Sequence, residues 1–362
     1  MSAPKKSGNR LPFLDWTRGL AAVLMLQGHV FHSFTRNDLR EGSHYILTQF
    51  IGGLPPAMFL FLTGVTLAFM MEKCERECLP MSARILTALH RSGYLFTMAF
   101  LFRIQLWAFG WGQNRWQDIF RVDILNCMGL AMAVFSVMAV FPIHERARYC
   151  VVLGIAVASV SPLVSQLDWS GVPSLVKDYL APNPNLFPFF PWAAYLAFGI
   201  GAGSLLRLVK SDYMQTSMQW TAVFGLTLIV TAQYFSNLPF SIYQKSEFWV
   251  DSPGLIFIKL GITMVFLSIG YVWMETYGKS SWSWIKQLGS TSLLVYWVHI
   301  ELVYGRWMGS WKEHLGIGGT ALLAATIIGL MVLISVVQTR WGHFHWQRAP
   351  QTAPAADTVS KP

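Results

Sequence analysis

The chain is short of charge. Asp, Glu, Lys and Arg make up 12% of its 362 residues, about half the ~25% of an ordinary soluble domain. So few charges could not cover the surface of a soluble protein of this size. Four cysteines are too few for a disulfide scaffold of this length. Phosphate loops, dinucleotide-binding glycine fingerprints, metalloprotease helices and esterase elbows have no credible match. Disorder and collagen-like structure are excluded by what is abundant: hydrophobic residues reach 54%, and 29 glycines come on top of them. What remains is an all-α, polytopic membrane helix bundle.

A membrane-crossing helix needs about 20 mostly apolar residues. Ten stretches qualify: Trp16–Phe34, Gly52–Met71, Ser92–Ala108, Asp123–Phe141, Tyr149–Leu167, Pro188–Leu206, Trp220–Phe235, Pro253–Tyr271, Gly289–Met308 and Gly318–Gln338. In the first, the hydrophobic run beginning at Gly19 follows Lys5, Lys6, Arg10 and Arg18, as the core of a signal peptide would follow its charged region. No small-residue cleavage site follows it, so it is read as a retained helix. Residues 1–346 are expected to form the membrane domain. Residues 347–362, rich in Ala, Pro and Thr, are expected to form a disordered tail.

Lys and Arg set the orientation. With the N-terminus in the cytoplasm, 17 of them fall on inner segments and 8 on outer ones. That bias fits ten spans with both termini cytoplasmic, in a bacterial-type inner membrane. The formal net charge of +9 is thereby spread over six inner segments, not gathered into the basic stripe of a nucleic-acid binder. Trp107, Trp111, Trp116, Trp169, Trp249, Trp282 and Trp284 flank spans as an aromatic belt would.

Ionisable groups within a membrane are costly and usually functional. His29 falls about 20 Å along the first span. Arg103, Asp123, Asn126, Lys259, His299 and Glu301 fall at similar outer-to-middle depths, which predicts one shared cavity. Each also has a plainer reading. His29 and His299 could be helix-packing hydrogen bonders, and Arg103 and Lys259 could snorkel to headgroups. His32 suits a solvated position, and His44 lies in an outer loop. Asp15 and Arg18 are spaced for a helix-start ion pair. Cys74 and Cys78, four apart, would share a helical face, but two thiols alone are a weak metal signal, and no metal is expected. Gly199 and Gly203 have the spacing of close helix packing, which would permit a homodimer.

Five segments resemble one family in order. "RLPFLDWTRGLAAVLMLQGHVFHSF" (Arg10–Phe34) carries a Leu-Asp-x-x-Arg-Gly signature at Leu14, Asp15, Arg18 and Gly19. "PPAMFLFLTGVTLAF" (Pro55–Phe69), "VDILNCMGLAM" (Val122–Met132), "FPFFPWAAYLAFGIGAG" (Phe187–Gly203) and "LGSTSLLVYWVHIELVYG" (Leu288–Gly305) follow. Together they resemble the transmembrane acyltransferases, closest to the heparan-alpha-glucosaminide N-acetyltransferase catalytic-domain-like group.

The resemblance implies an acyltransferase. Acetyl-CoA would enter from the cytoplasm as co-substrate, and its acetyl group would reach a sugar or other small-molecule acceptor at the outer face. Arg18 and Asp15 would stand at the inner mouth, with Arg18 facing coenzyme phosphates. A histidine would serve as general base. His29 matches the wider clan's working histidine, and His44 is nearest to that of the animal branch. Asn126, Asp123 and Arg103 would orient the base or stabilise the oxyanion. His299 and Lys259 would line the substrate cavity, and membrane lipid would surround the bundle. A transporter of a small polar solute would share the spans and buried charges. It often shows inverted repeats and broken helix pairs, and no internal repeat is visible here.

Overall fold

The computed structural model describes residues 11–110, 115–278 and 282–348, with backbone only for 342–348. The expected tail from 349 onward, Trp111 and the basic residues Lys5, Lys6, Arg10 and Lys279 lie outside the described residues. Thirteen α-helices occur among them: α1 (Pro12–Phe34), α2 (Ser43–Gly52), α3 (Pro55–Arg76), α4 (Met81–Phe109), α5 (Ile124–Phe135), α6 (Ile143–Ser165), α7 (Ser174–Leu180), α8 (Phe189–Leu208), α9 (Met214–Ser236), α10 (Pro253–Thr276), α11 (Trp284–Ser290), α12 (Ser292–Tyr304) and α13 (Ile317–Arg348). None of the described residues forms a named strand.

Each of the ten expected spans falls on helix. Among the described residues, six helical segments are long and apolar enough to cross a membrane: Ser43–Arg76, which joins α2 to α3, then α4, α6, α8, α10 and Ile317–Trp341. The α1 and α9 helices are as long. The former carries Asp15, Arg18, His29 and His32, and the latter several Thr and Gln, which makes both less apolar. Ile124–Val140 and α12 are apolar but shorter.

The differences from expectation lie at the ends. The α4 helix starts at Met81, eleven residues before the apolar stretch, because the backbone stays helical through Arg84 and Arg91. The fourth span tightens into a 3-10 turn over Ser136–Val140. The ninth is two helices, broken at Thr291. Helix α13 runs to Arg348, so residues 347 and 348 of the expected tail are helical. Helix α3 ends at Arg76, which leaves Cys78 in the following turn at φ 53°. Cys74 is buried and Cys78 exposed, so they do not share a helical face.

Glycines set the closest helix contacts. A Cβ on Gly199 would run into the Phe61 carbonyl, and one on Gly64 into the Leu196 carbonyl. The glycine stripe of α8 is thus occupied within the chain, by α3, and a homodimer would have to use another surface. At one end of α3 and α8, Arg207 bonds Glu72 (2.9 Å) and lies over the Phe69 ring. Beside them Arg146 is fully buried and bonds Glu75 (3.4 Å) and Ser204 (3.3 Å).

Two main apolar cores result, with a small third cluster of Ala21, Leu54 and Met58. The larger joins α3 to α6, α8 and α10, and the smaller joins α1 to α11, α12 and α13. Helix α1 belongs to both, through Phe13, Leu14 and Trp16 on the first and Ala22, Leu26 and Val30 on the second. It meets α11 backbone to backbone, Gly19 against the Ile285 carbonyl and Gly289 against that of Asp15. Past its C-terminus, Thr35 pairs with Leu315, and the Arg36 N–H donates to the Leu315 carbonyl at 3.0 Å.

Candidate functional site

Residues three and four apart on a helix share a face, so Leu26, His29 and Ser33 of α1 face one way. Leu26 enters the smaller core, and the Ser33 hydroxyl donates to the Val303 carbonyl of α12 at 3.0 Å. Gly28, one residue away, lets Gly52 approach closely from α2. That packing presents the half-buried His29 to the fully buried His299. His29 Nδ1 lies 3.0 Å from His299 Nε2, and His299 Nδ1 lies 2.7 Å from the Val295 carbonyl oxygen.

A carbonyl can only accept, so His299 Nδ1 carries the proton. In a neutral ring its Nε2 is then the acceptor. The His29 Nδ1–H therefore donates to it, and the lone pair of His29 is left on Nε2. The Tyr304 ring meets the His29 ring edge-on at 5.4 Å. Such a chain fixes the tautomer and orientation of a basic nitrogen, as second-sphere partners of working histidines do.

A second polar group lies where α4 ends and α5 begins. Asp123 caps α5, accepting from the backbone N–H of Leu125 and Asn126, both at 3.0 Å. It also accepts from the Asn126 amide at 3.1 Å and the Arg103 guanidinium at 3.1 Å. The Asn126 carbonyl oxygen accepts from the Tyr179 hydroxyl of α7 at 3.1 Å. Burial and the Asp123 carboxylate raise the Tyr179 pKa, which keeps that hydroxyl a donor.

Tyr296 stands between the two groups. Its ring meets His299 at 5.8 Å and Phe102 at 5.3 Å, and its hydroxyl is in electrostatic reach of Asp123, Arg103 and Tyr304. This tyrosine lies in the Leu288–Gly305 segment, where apolarity alone assigns it no role. The signal was its place one turn before His299, on the same face.

A cavity of about 920 Å³ opens near Asp15 and Arg18, whose side chains pair at 3.0 Å as their spacing predicts. It follows α3 from Phe69 to Phe59, about 15 Å of helix, and reaches Ile124, Leu125 and Tyr296. Arg91, Ser290, Thr291, Gln338 and Thr339 also line it.

The single shared cavity expected from depth alone is not what forms. His29, His299, Asp123, Asn126, Arg103 and Lys259 are outside this lining. The helix faces divide them: the histidines point between α1 and α12, and the Asp123 group lies between α4, α5 and α7. Lys259 is apart from both, its ammonium 5.3 Å from the Trp192 ring centroid and close to Gly53. Glu301 bonds Trp307 at 3.2 Å. His44 is exposed in the first turn of α2, and His32 is exposed beside the Tyr304 ring. Among the described residues, no three His, Cys, Asp or Glu side chains gather as a metal site would require.

Comparison with curated proteins finds no match. Residues 10–244 match a family described as heparan-alpha-glucosaminide N-acetyltransferase, catalytic. The match covers α1 to α9, with His29, Asp123 and the Asp15–Arg18 pair, and stops before α12. It spans well over half of the chain, which therefore belongs to this family of membrane acyltransferases.

Proposed function

We propose that this multi-pass transferase crosses the membrane ten times, with both termini in the cytoplasm, and moves an acetyl group outward. Acetyl-CoA is the donor, and a sugar amine or hydroxyl at the outer face is the acceptor. The polarity of the helices supports alternating crossings: the C-terminal ends of α3 and α8 meet the N-terminal end of α6 through Glu72, Glu75, Arg146, Ser204 and Arg207.

One observation carries the reading. The His29–His299–Val295 chain leaves a basic nitrogen on His29 Nε2, at the end of the bundle remote from the Asp15–Arg18 mouth. A neutral imidazole so held is suited to take the proton of an attacking amine or hydroxyl. The coenzyme enters beside Asp15 and Arg18, where Asp15 steadies the Arg18 guanidinium for a phosphate. Its acyl arm follows the cavity along α3 toward Tyr296. Arg103, Asp123 and Asn126 form the wall beyond, tied by Tyr179 to the outer segment. Lys259 lines the outer approach at some remove. Among the described residues, the exposed His44 makes none of the contacts that hold a base in place, which favours His29.

Transfer is direct. The acceptor attacks the thioester carbon while His29 takes its proton, the C–S bond breaks, and the proton passes to the leaving thiolate to give coenzyme A. A thermal-shift titration of the detergent-solubilised protein tests the reading. Acetyl-CoA and coenzyme A are both expected to stabilise it, in His29→Ala as in wild type, with transfer lost only in the variant. No stabilisation by either ligand would overturn the function and leave the fold standing.

A further inference from the structure

Tyr296 borders both the cavity and the histidine pair, and it is the one tyrosine in the cavity lining. Its ring is fixed by Phe102 and His299. Its hydroxyl makes no hydrogen bond to another group among the described residues. That contrasts with Tyr179 and Tyr243, whose hydroxyls donate to Asn126 and to the Ser159 carbonyl. A phenol O–H without a protein partner, in a cavity and one ring away from a base, is a donor waiting for an acceptor. The neighbouring Arg103 is held to Asp123 through its Nε at 3.1 Å, so the phenol is a neutral donor free to meet a developing charge on this wall.

We propose that Tyr296 stabilises the thioester oxyanion. The proposal rests on the transfer reading above. As the bond forms between the acceptor heteroatom and the carbonyl carbon, the carbonyl π pair moves to oxygen, and the Tyr296 O–H donates to that oxygen. His29 Nε2 takes the acceptor proton. When the oxygen pair returns, the C–S bond breaks, and the imidazolium gives its proton to the thiolate. Acetylated acceptor and free coenzyme A result, with Tyr296 unchanged. Loss of one oxyanion donor typically lowers kcat by about 10²–10³-fold.

The test uses the full chain in detergent, with acetyl-CoA as donor and glucosamine as acceptor, read as release of free thiol. Coenzyme A alone, read as thermal shift, reports binding. Tyr296→Phe keeps the ring packing and removes only the hydroxyl. Its kcat is expected to fall about 100-fold, with KM for acetyl-CoA, the coenzyme A shift and Tm as in wild type. A second variant carries 3,5-difluorotyrosine at 296, a more acidic phenol of similar size, and is expected to change kcat and its pH profile. A Tyr296→Phe kcat within threefold of wild type, a loss confined to KM, or a difluorotyrosine pH profile identical to wild type would each overturn the assignment and leave the transfer reading intact. A wild-type protein that releases no thiol overturns the transfer reading itself.

Discussion

The imidazoles of His29 and His299 meet at 3.0 Å although 270 residues separate them along the chain. If His29 is the base, His29→Ala is expected to lower acetyl transfer by about 10³-fold, within the usual range for general-base removal. His44→Ala, at an exposed position, is expected to stay near wild type. Initial rates with acetyl-CoA decide it. Near-normal activity in His29→Ala together with loss in His44→Ala would move the base to His44 at the start of α2.

The role of His299 is separable from its bulk. His299→Gln offers a side-chain oxygen near the place of Nε2, so it can still accept from His29 Nδ1. His299→Leu cannot. The Leu variant is expected to lose kcat by about 100-fold at unchanged KM, and the Gln variant to lose about tenfold or less. Equal losses in both would show that His299 only fills space.

Asp123 and Arg103 are unequal partners. Removing Asp123 strips α5 of its cap, about 1 kcal/mol, and leaves the mostly buried Arg103 without its carboxylate, about 3 kcal/mol or more. Arg103→Met leaves Asp123 with the Leu125, Asn126 backbone and Asn126 amide donors. Asp123→Ala is therefore expected to lower Tm clearly more than Arg103→Met. Thermal melts in detergent give the ranking, and the reverse order would refute this account.

Gly289 and Gly93 make a matched pair of probes. A methyl on Gly289 meets the Asp15 carbonyl, whereas one on Gly93 meets nothing within 4 Å. Gly289→Ala is expected to destabilise by about 1–3 kcal/mol, as overpacking does. Gly93→Ala is expected to be neutral or stabilising by up to about 1 kcal/mol, from helix propensity alone. Chemical denaturation of both variants reads the difference.

Direct transfer predicts that no acetyl group stays on the protein. Incubation with labelled acetyl-CoA and no acceptor, followed by mass analysis, is expected to return unmodified chain. An acetyl-histidine would mean a two-step route through a covalent intermediate.

Much of the bundle was legible because lipid imposes a coarse rule: about 20 apolar residues per crossing. All ten stretches fall on helix. Helix ends were less legible. Apolarity stops at the interface while the backbone ladder runs on, so α4 begins before its apolar stretch and α13 outlasts its own. The ion pair of Asp15 with Arg18 could be read because it is local to one turn. The bond of His29 to His299 could not be, since one-dimensional depth says nothing of azimuth. For the same reason depth put Lys259 and Asp123 with the histidines, and the helix faces separate them. The burial of Arg146 was not legible either, because Glu75 and Ser204, which accept its hydrogen bonds, belong to other helices.

The strap in which the Arg36 N–H reaches the Leu315 carbonyl has a consequence for biogenesis. The ribosome completes α1 long before it makes the segment that the strap joins to it. Until then the C-terminal end of the first helix lacks α12 and α13 beside it, and His29 is without its hydrogen-bond partner. A nascent chain arrested before α12 holds the proposed base without the partner that orients it, whatever the state of the helices in between. If His29 is the base, activity should therefore appear only once α12 has been made, and truncations that remove α12 should fail as enzymes before they fail as membrane-inserted proteins.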